Sequence, residues 1–276
     1  MTALFDLLRE LFSYVFIVRA MVVGILVALC AALLGVTLVL KRYSMIGDGL
    51  SHVGFGTLAV AMSLRLAPLE VSIPVVLLAA FFLLRISENS KIKGDAAIAL
   101  ISSSALAVGV VVISMTTGMN TDVCNYMFGS ILAMSKSDVV LSTAVAVFVL
   151  ILYVFSYHRI FAATFDESFA RATGMKVSRY NMLIAFLTAM VIEVGKRIMG
   201  AMLISSLVIF PALTSMRVFS SFKGVVLCSA VLSVACFFVG LVLSFALSTP
   251  TGASVVLVNL AMFCLFAVAA KLGVKA

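Results

Sequence analysis

From Gly224 to Ala270 the chain carries no charged residue. A helix that crosses the apolar part of a bilayer needs roughly 20 residues, so this run is long enough for two such helices. The segment Ser248–Gly252 (STPTG) divides the run, and its proline and glycine are typical of a turn. Because no soluble core could cover this much apolar surface, the run predicts a protein that is embedded in lipid.

The rest of the chain repeats this pattern. Hydrophobic residues make up 64% of the sequence and charged residues 11%, whereas soluble domains carry roughly a quarter charged residues. We therefore predict one all-α integral membrane domain over residues 1–276, a polytopic bundle of eight or nine transmembrane helices. The predicted spans lie near 18–40, 49–64, 69–85, 96–117, 139–157, 178–195, 198–216, 224–247 and 252–270. The second run is short, so we expect its helix to start earlier and carry Asp48 into the membrane.

The distribution of Lys and Arg predicts the orientation. Most of them fall on one side if the loop 158–179 is cytoplasmic, which places the amino terminus outside and the carboxyl terminus inside. The adjacent cations Lys196 and Arg197 break this rule. Either the hairpin 193–200 dips back into the membrane, or the count of spans is wrong by one. The net charge of +8 thus indicates cytoplasmic loops and contact with anionic lipid rather than a nucleic-acid partner.

Two segments outside the spans are predicted to be helical. Residues 1–17 mix leucines with charged side chains and are typical of an amphipathic helix at the bilayer surface. Residues 160–176 contain Asp166 and Glu167, then Phe169 and Ala170, and then Gly174. Acids before a helix and a glycine after it favour a short helix, which could dock into a groove on another protein or be an ordinary surface helix.

Asp48 and His52 are the candidate metal-binding residues. They lie four residues apart, so they share one face of a helix. A carboxylate and an imidazole on one face can hold a divalent metal ion, and ionisable side chains at membrane depth are usually functional. The alternative is that the two side chains pair with each other and only lock the helix.

Small residues surround this pair. Gly47, Ser51 and Gly54 recur every three or four residues, which allows neighbouring helices to approach closely. Pro211 lies within an apolar span and predicts a kink or break there, where a freed carbonyl could face a pathway or simply pack.

Glu193 and His158 are weaker candidates. Glu193 could attract cations, but its spacing favours a pair with Lys196 or Arg197. His158 is predicted to be an interfacial residue.

Three segments, in this order and spacing, resemble the permease subunit of ABC-type metal-uptake transporters for zinc, manganese and related divalent ions. The matching segments are Gly47–His52, Asp166–Gly174 and Gly200–Ala212, with Pro250–Ala253 as a further match. The Gly-Asp-Gly-Leu-Ser-His form of the first segment is closer to the zinc members. The similarity covers nearly the whole chain.

This resemblance implies a fold like that of the vitamin B12-type importers and a location in the bacterial cytoplasmic membrane. It implies a second permease copy, as a homodimer or a heterodimer with a sister permease, a cytoplasmic ABC ATPase dimer that docks on Asp166–Gly174, and an extracytoplasmic binding protein that delivers the metal. Asp48 and His52 match the positions expected to contact the ion, with zinc, manganese or iron as transported substrate. No cofactor is implied in this chain, because ATP would bind the partner ATPase.

One chain offers only two good ligands, whereas zinc commonly takes four. Two copies would offer two Asp48–His52 pairs, so a metal site shared across the dimer axis is one hypothesis. An incomplete shell within each chain is the other, since a conducting site must also release its ion.

Two other functions were weighed. A secondary, gradient-driven metal transporter could use Asp48 and His52 as a proton and metal relay, although inverted repeats with paired broken helices are not evident. An enzyme is disfavoured because the two histidines form no His-Glu-x-x-His motif. The phosphate-binding Gly-x-x-x-x-Gly-Lys-Ser/Thr loop is also missing from the sequence, so an ATP-driven system would need its motor on another chain.

Overall fold

The computed structural model describes residues 9–89, 94–116 and 136–272, and all the regular structure in these ranges is helical. The predicted all-α bundle is therefore confirmed. The helices are α1 (Val15–Leu40), α2 (Ile46–Ser63), α3 (Pro68–Asn89), α4 (Gly94–Met115), α5 (Lys136–Phe165), α6 (Glu167–Ala172), α7 (Val177–Met199), α8 (Ala201–Ser215), α9 (Phe222–Leu247) and α10 (Thr251–Lys271).

Seven helices in the described ranges are long and apolar enough to cross a membrane, namely α1, α3, α4, α5, α7, α9 and α10. The other two predicted spans coincide with α2, which has 18 residues, and α8, which has 15. These two are the helices that carry the glycine-rich Asp48 segment and Pro211. The chain is a multi-pass membrane protein in which these two shorter helices hold Asp48, His52 and Pro211.

Helices α1 and α7 form the centre of the bundle. In the most apolar window of α1, 67% of the residues are buried, compared with 17% for α4 and for α10. Helix α1 packs against α5, α7, α8 and α9. Two hydroxyls of α9 fix it to α1, since Ser233 donates to the carbonyl of Ala28 at 2.8 Å and Ser229 to that of Ala32 at 3.4 Å. The apolar outer surfaces of α4 and α10 are left for lipid or for another chain.

Helix α2 lies inside the bundle and packs against α3, α4, α7 and α8. It begins at Ile46, so Asp48 is part of the helix, as the shortness of the apolar run predicted. Gly47, Ser51 and Gly54 are all buried. At Gly54 the neighbouring helix α7 comes so close that an added Cβ would collide with Lys196.

Helices α7 and α8 meet at an elbow formed by one residue. Gly200 has φ 89° and ψ 154°, and α8 begins directly after it. Glycine accepts this conformation because it has no Cβ. At Pro211, where a kink or break was predicted, the helix does not break, since α8 continues through Pro211 to Ser215; a kink there stays a prediction. The helix breaks at Gly200 instead, because the positive φ of this residue ends α7 and changes the direction of the chain.

The end of α7 explains one of the two cations that broke the charge rule. Lys196 is completely buried, so it does not lie in an outer loop as the simple span count had placed it. Residues 193–199 are the last turns of α7, and the chain turns back inside the protein at Gly200 rather than through a hairpin over 193–200.

The short helix predicted within residues 160–176 is present, but residues 160–165 belong to the preceding helix α5. Helix α5 continues to Phe165 instead of ending near residue 157, and α6 follows after Asp166. The surface helix predicted over residues 1–17 lies partly outside the described residues. Within them, residues 9–13 are helical and α1 already starts at Val15.

Candidate functional site

Asp48 and His52 lie together at the start of α2. Nε2 of His52 is 3.6 Å from Oδ2 of Asp48. Their side chains are only partly covered by this chain, with 28% of the His52 side chain and 40% of the Asp48 side chain exposed. The pair is therefore open to an ion or to groups that another chain supplies.

The distance between these two atoms suits a bridging metal ion. It exceeds the usual length of a hydrogen bond. Zinc binds nitrogen and oxygen ligands at about 2.0–2.2 Å, so two ligands of a tetrahedral ion lie about 3.4 Å apart. The 3.6 Å separation is thus close to that of a chelating pair, and a small rotation of either side chain would adjust it.

No third His, Cys, Asp or Glu joins them to form a metal-binding group within the described part of the chain. Ser205 of α8 is the polar neighbour instead. It interacts with the Asp48 carboxylate, is 9% exposed, and its hydroxyl has no hydrogen-bond partner of normal geometry among the described residues. A buried hydroxyl without a partner is unusual, and this one could donate to Asp48 or bind a metal ion through its oxygen.

Sequence reasoning missed Ser205. The sequence shows only a Ser-Ser step in an apolar run, without any signal that one hydroxyl faces Asp48. That placement depends on the elbow at Gly200, which directs α8 toward α2. Pro211 lies six residues beyond Ser205, about 9 Å further along α8.

The small-residue face of α2 lies against the far end of α7. A Cβ at Gly47 would lie 3.7 Å from Cδ1 of Ile192, and a Cβ at Gly54 would collide with Lys196 and with Glu193. Ile192 comes 15 residues after Val177, where α7 begins, so it lies up to about 22 Å along the helix axis. The Gly47–Gly54 face of α2 is therefore packed against the deep part of α7, while Asp48 and His52 lie on another face of α2.

Glu193 pairs with Lys196, as its spacing predicted. Lys196 donates to Oε2 of Glu193, and Ser72 of α3 donates to Oε1. All three residues are buried. The weaker predicted candidate, Glu193, thus lies inside the protein beside α2, whereas His158 is exposed on α5, where its ring contacts that of Tyr157 at 5.5 Å.

A second candidate surface lies at the end of the molecule that is predicted to be cytoplasmic. Asp166 caps α6, since its Oδ1 accepts from the backbone N–H of Phe169 at 2.8 Å. Ala170 is buried against Ala163 and Val177, and Gly174 ends the segment with φ 83°. One face of α6 is therefore fixed to α5 and α7.

Polar bonds hold α6 in the same place. Oε1 of Glu167 accepts from Arg171 at 2.9 Å and from Asn181 at 3.3 Å, and Asn181 accepts from Lys41 at 2.6 Å. Partial burial raises the pKa of Glu167, but the bonds from Arg171 and Asn181 and the charge of Lys41 outweigh it, so the pKa lies below its ordinary value. Glu167 stays ionised at neutral pH. The stabilisation of α6 by its bonds to Arg171 and Asn181 would be lost only as the pH falls through that lowered pKa.

The opposite side of α6 is open. The Phe169 side chain is 64% exposed. Phe161 and Phe165 at the end of α5 form a ring cluster with Phe222 at the start of α9, with centroids 4.9–5.8 Å apart. Beside α6 lies a hollow of about 580 Å³ lined by residues that include Tyr43, Arg85, Glu167, Arg171 and Asn181. An exposed aromatic side chain on a rigidly held helix is typical of a docking surface.

Comparisons with known proteins show what this chain is similar to. The chain is 30% identical over 258 residues to the manganese import system permease protein ScaB of Streptococcus gordonii, covering 94% of this chain and 92% of ScaB. It is 27% identical to the high-affinity zinc uptake system membrane protein ZnuB of Haemophilus influenzae, covering 89% and 94%. Among solved structures, PsaBC of Streptococcus pneumoniae in complex with Fab superposes with a TM-score of 0.85 at 29% identity, covering 96% of this chain and 95% of that chain.

The family comparison covers nearly the same range. The model of the ABC 3 transport family matches residues 13–271. This range includes all of the helices α1 to α10 and both candidate surfaces. The chain therefore belongs to the ABC 3 transport family, as a transport subunit rather than an enzyme.

Proposed function

We propose that this chain is the membrane-spanning permease subunit of an ATP-driven importer that moves divalent metal ions into the cytoplasm. The observation that supports this most is the Asp48–His52 pair, which lies at metal-chelating distance on a buried helix and is open on one side. The docking surface around α6 and the likeness to permeases of metal import systems support it further. The family does not favour the gradient-driven alternative.

The proposed substrate is a divalent transition metal, Zn²⁺ or Mn²⁺, with Fe²⁺ as a third possible ion. Carboxylate and imidazole ligands suit all three, because selectivity among such ions rests on geometry and availability. The relatives are named for both manganese and zinc, so the zinc preference suggested by Gly47–His52 is only one of the possibilities for this chain.

The proposed assembly has two permease copies, a cytoplasmic ABC ATPase dimer and an extracytoplasmic binding protein, in a bacterial cytoplasmic membrane. The exposed sides of Asp48 and His52 leave room for ligands from a second copy beside Ser205 and water. Residues 1–276 would form one permease domain, with residues 1–17 at the interface and 160–176 as the coupling segment.

Reconstituted transport tests this function. We expect liposomes that contain the chain with its ATPase and binding protein to accumulate Mn²⁺ or Zn²⁺ only when ATP is supplied. A collapse of the proton gradient should leave uptake unchanged. Uptake that needs the gradient and proceeds without ATP would contradict the proposal and favour the secondary transporter. Competition between Mn²⁺, Zn²⁺ and Fe²⁺ in the same assay identifies the preferred metal.

Phe169→Ala tests the docking role of α6. The exposed ring makes few contacts within this chain, so its loss should leave the permease folded and weaken binding of the ATPase about tenfold, which corresponds to roughly 1.4 kcal/mol. Binding of the ATPase to the purified permease in detergent measures this.

The matched control is Phe155→Ala. Phe155 is 83% exposed on the membrane-spanning part of α5, so its loss should not change ATPase binding. Equal effects of the two variants would contradict a specific role for α6.

A further inference from the structure

A buried charged cluster joins three helices next to the proposed ion path. It consists of Glu193 and Lys196 on α7 and Ser72 on α3, and Lys196 lies directly against Gly54 of α2. Ser72 and Lys196 are 0% exposed and Glu193 is 1% exposed. Nothing in the docking or chelating roles described above uses this cluster.

Stability alone does not explain such a cluster. Moving a carboxylate and an ammonium out of water is expensive, and well-packed apolar residues usually stabilise a core equally well or better. Ionisable residues inside membrane proteins generally belong to ion pathways. The cluster lies next to the one helix that carries the proposed metal ligands, which favours a role in the pathway.

The carboxylate of Glu193 has the surroundings of a cation site. Its Oε1 accepts from the Ser72 hydroxyl and its Oε2 accepts from the Lys196 ammonium. An ammonium on a flexible stem is a point charge that can be displaced from such a position. The Lys196 ammonium thus occupies the place that a free cation would take between Glu193 and α2.

Gly54 makes this occupation possible. A Cβ at position 54 would collide with the Lys196 ammonium and would lie 2.6 Å from Oε2 of Glu193. Position 54 is two residues after His52, about 3 Å further along the axis of α2 but about 200° further around it, so Lys196 contacts a different face of α2 from the one that carries Asp48 and His52. The cluster and the Asp48–His52 pair are therefore separate groups on two faces of the same helix.

We propose that Glu193 and Ser72 form a second cation site, which the Lys196 ammonium fills at rest and which accepts Mn²⁺ when that ammonium is removed or displaced. Its donors are carboxylate and hydroxyl oxygens, which suit Mn²⁺ better than Zn²⁺. The existence of this site does not rest on the proposed function.

Lys196→Met tests the site, because methionine fills a similar space without the charge. Mn²⁺ binding to the purified full-length chain in lipid nanodiscs is measured by electron paramagnetic resonance. Compared with the wild type, Lys196→Met should bind one additional Mn²⁺ per chain. Ser72→Ala in the Lys196→Met background should weaken that additional binding about tenfold, through the lost oxygen donor.

The matched control is the double variant Glu193→Gln with Lys196→Met, which leaves the cluster neutral and should bind no additional Mn²⁺. Lys196→Met protein that elutes as a folded species and binds no more Mn²⁺ than the wild type would overturn the proposal and leave Lys196 as a structural counter-ion. If Lys196→Met does not fold, Lys196→Gln, which keeps a donor for Glu193, is measured in the same way.

Adding Asp48→Ala to the Lys196→Met background separates this proposal from the proposed function. If Asp48 and His52 bind no metal, Asp48→Ala will not change Mn²⁺ binding. The additional ion that depends on Glu193 should then still bind. If the second site is absent, the wild type and Lys196→Met should bind equally, and Asp48→Ala should lower both.

Discussion

Replacing Asp48 or His52 by alanine should reduce metal uptake in the reconstituted transporter at least about a hundredfold, since even groups that only support metal ligands change metal affinity by 10–100-fold. Each variant removes one of the two atoms that lie 3.6 Å apart at the start of α2. Neither side chain is fully buried, so the protein should fold and bind its ATPase normally. Uptake of radioactive or fluorescently detected Mn²⁺ and Zn²⁺ into ATP-containing liposomes measures the effect.

His158→Ala is the matched control for His52→Ala. The chain has two histidines, and His158 is exposed on α5, so its removal should not change uptake. Ser205→Ala should have an intermediate effect of about tenfold, because a hydroxyl is a weaker ligand than a carboxylate or an imidazole. Wild-type uptake by Asp48→Ala and His52→Ala, with the complex assembled, would show that the pair only holds α2 in place.

The sequence was sufficient for those parts of the fold that depend on local pattern. Long charge-free runs such as Gly224–Ala270 predicted the helices because lipid requires every backbone polar group to be satisfied within its own segment. The spacing of Asp48 and His52 predicted a shared face, and Asp166 predicted the start of a short helix. These features depend on residues that are close in sequence.

Contacts between distant segments could not be predicted in this way. Nothing near Ser205 indicates that its hydroxyl reaches toward Asp48, and nothing near Lys196 indicates that it lies against Gly54. The placement of Ser205 follows from the positive φ of Gly200, which turns α8 back into the bundle. The placement of Lys196 follows from the packing of α7 against α2. A glycine in an apolar run is equally compatible with a continuous helix, so the sequence alone could not distinguish an elbow from a span.

Gly35→Ala should destabilise the protein by about 3 kcal/mol, the upper end of what overpacking a well-packed core typically costs. Gly35 lies on α1 where α8 crosses it. An added Cβ would collide with the carbonyl oxygen of Val208 and would lie 2.8 Å from its carbonyl carbon. Because the obstacle is backbone, no side chain can rotate to make room, and α1 and α8 would have to separate.

Gly47→Ala is the matched control for this variant. Its added Cβ would lie at an ordinary contact distance, 3.7 Å from Cδ1 of Ile192, so the stability should stay unchanged or rise by up to about 1 kcal/mol through the better helix propensity of alanine. Thermal unfolding of the purified chain in detergent compares the two variants. Equal unfolding midpoints for the two variants would mean that this contact does not hold α1 and α8 together. A lower midpoint for Gly35→Ala alone would show that the backbone contact at Val208 fixes α8, and with it Ser205, beside α2.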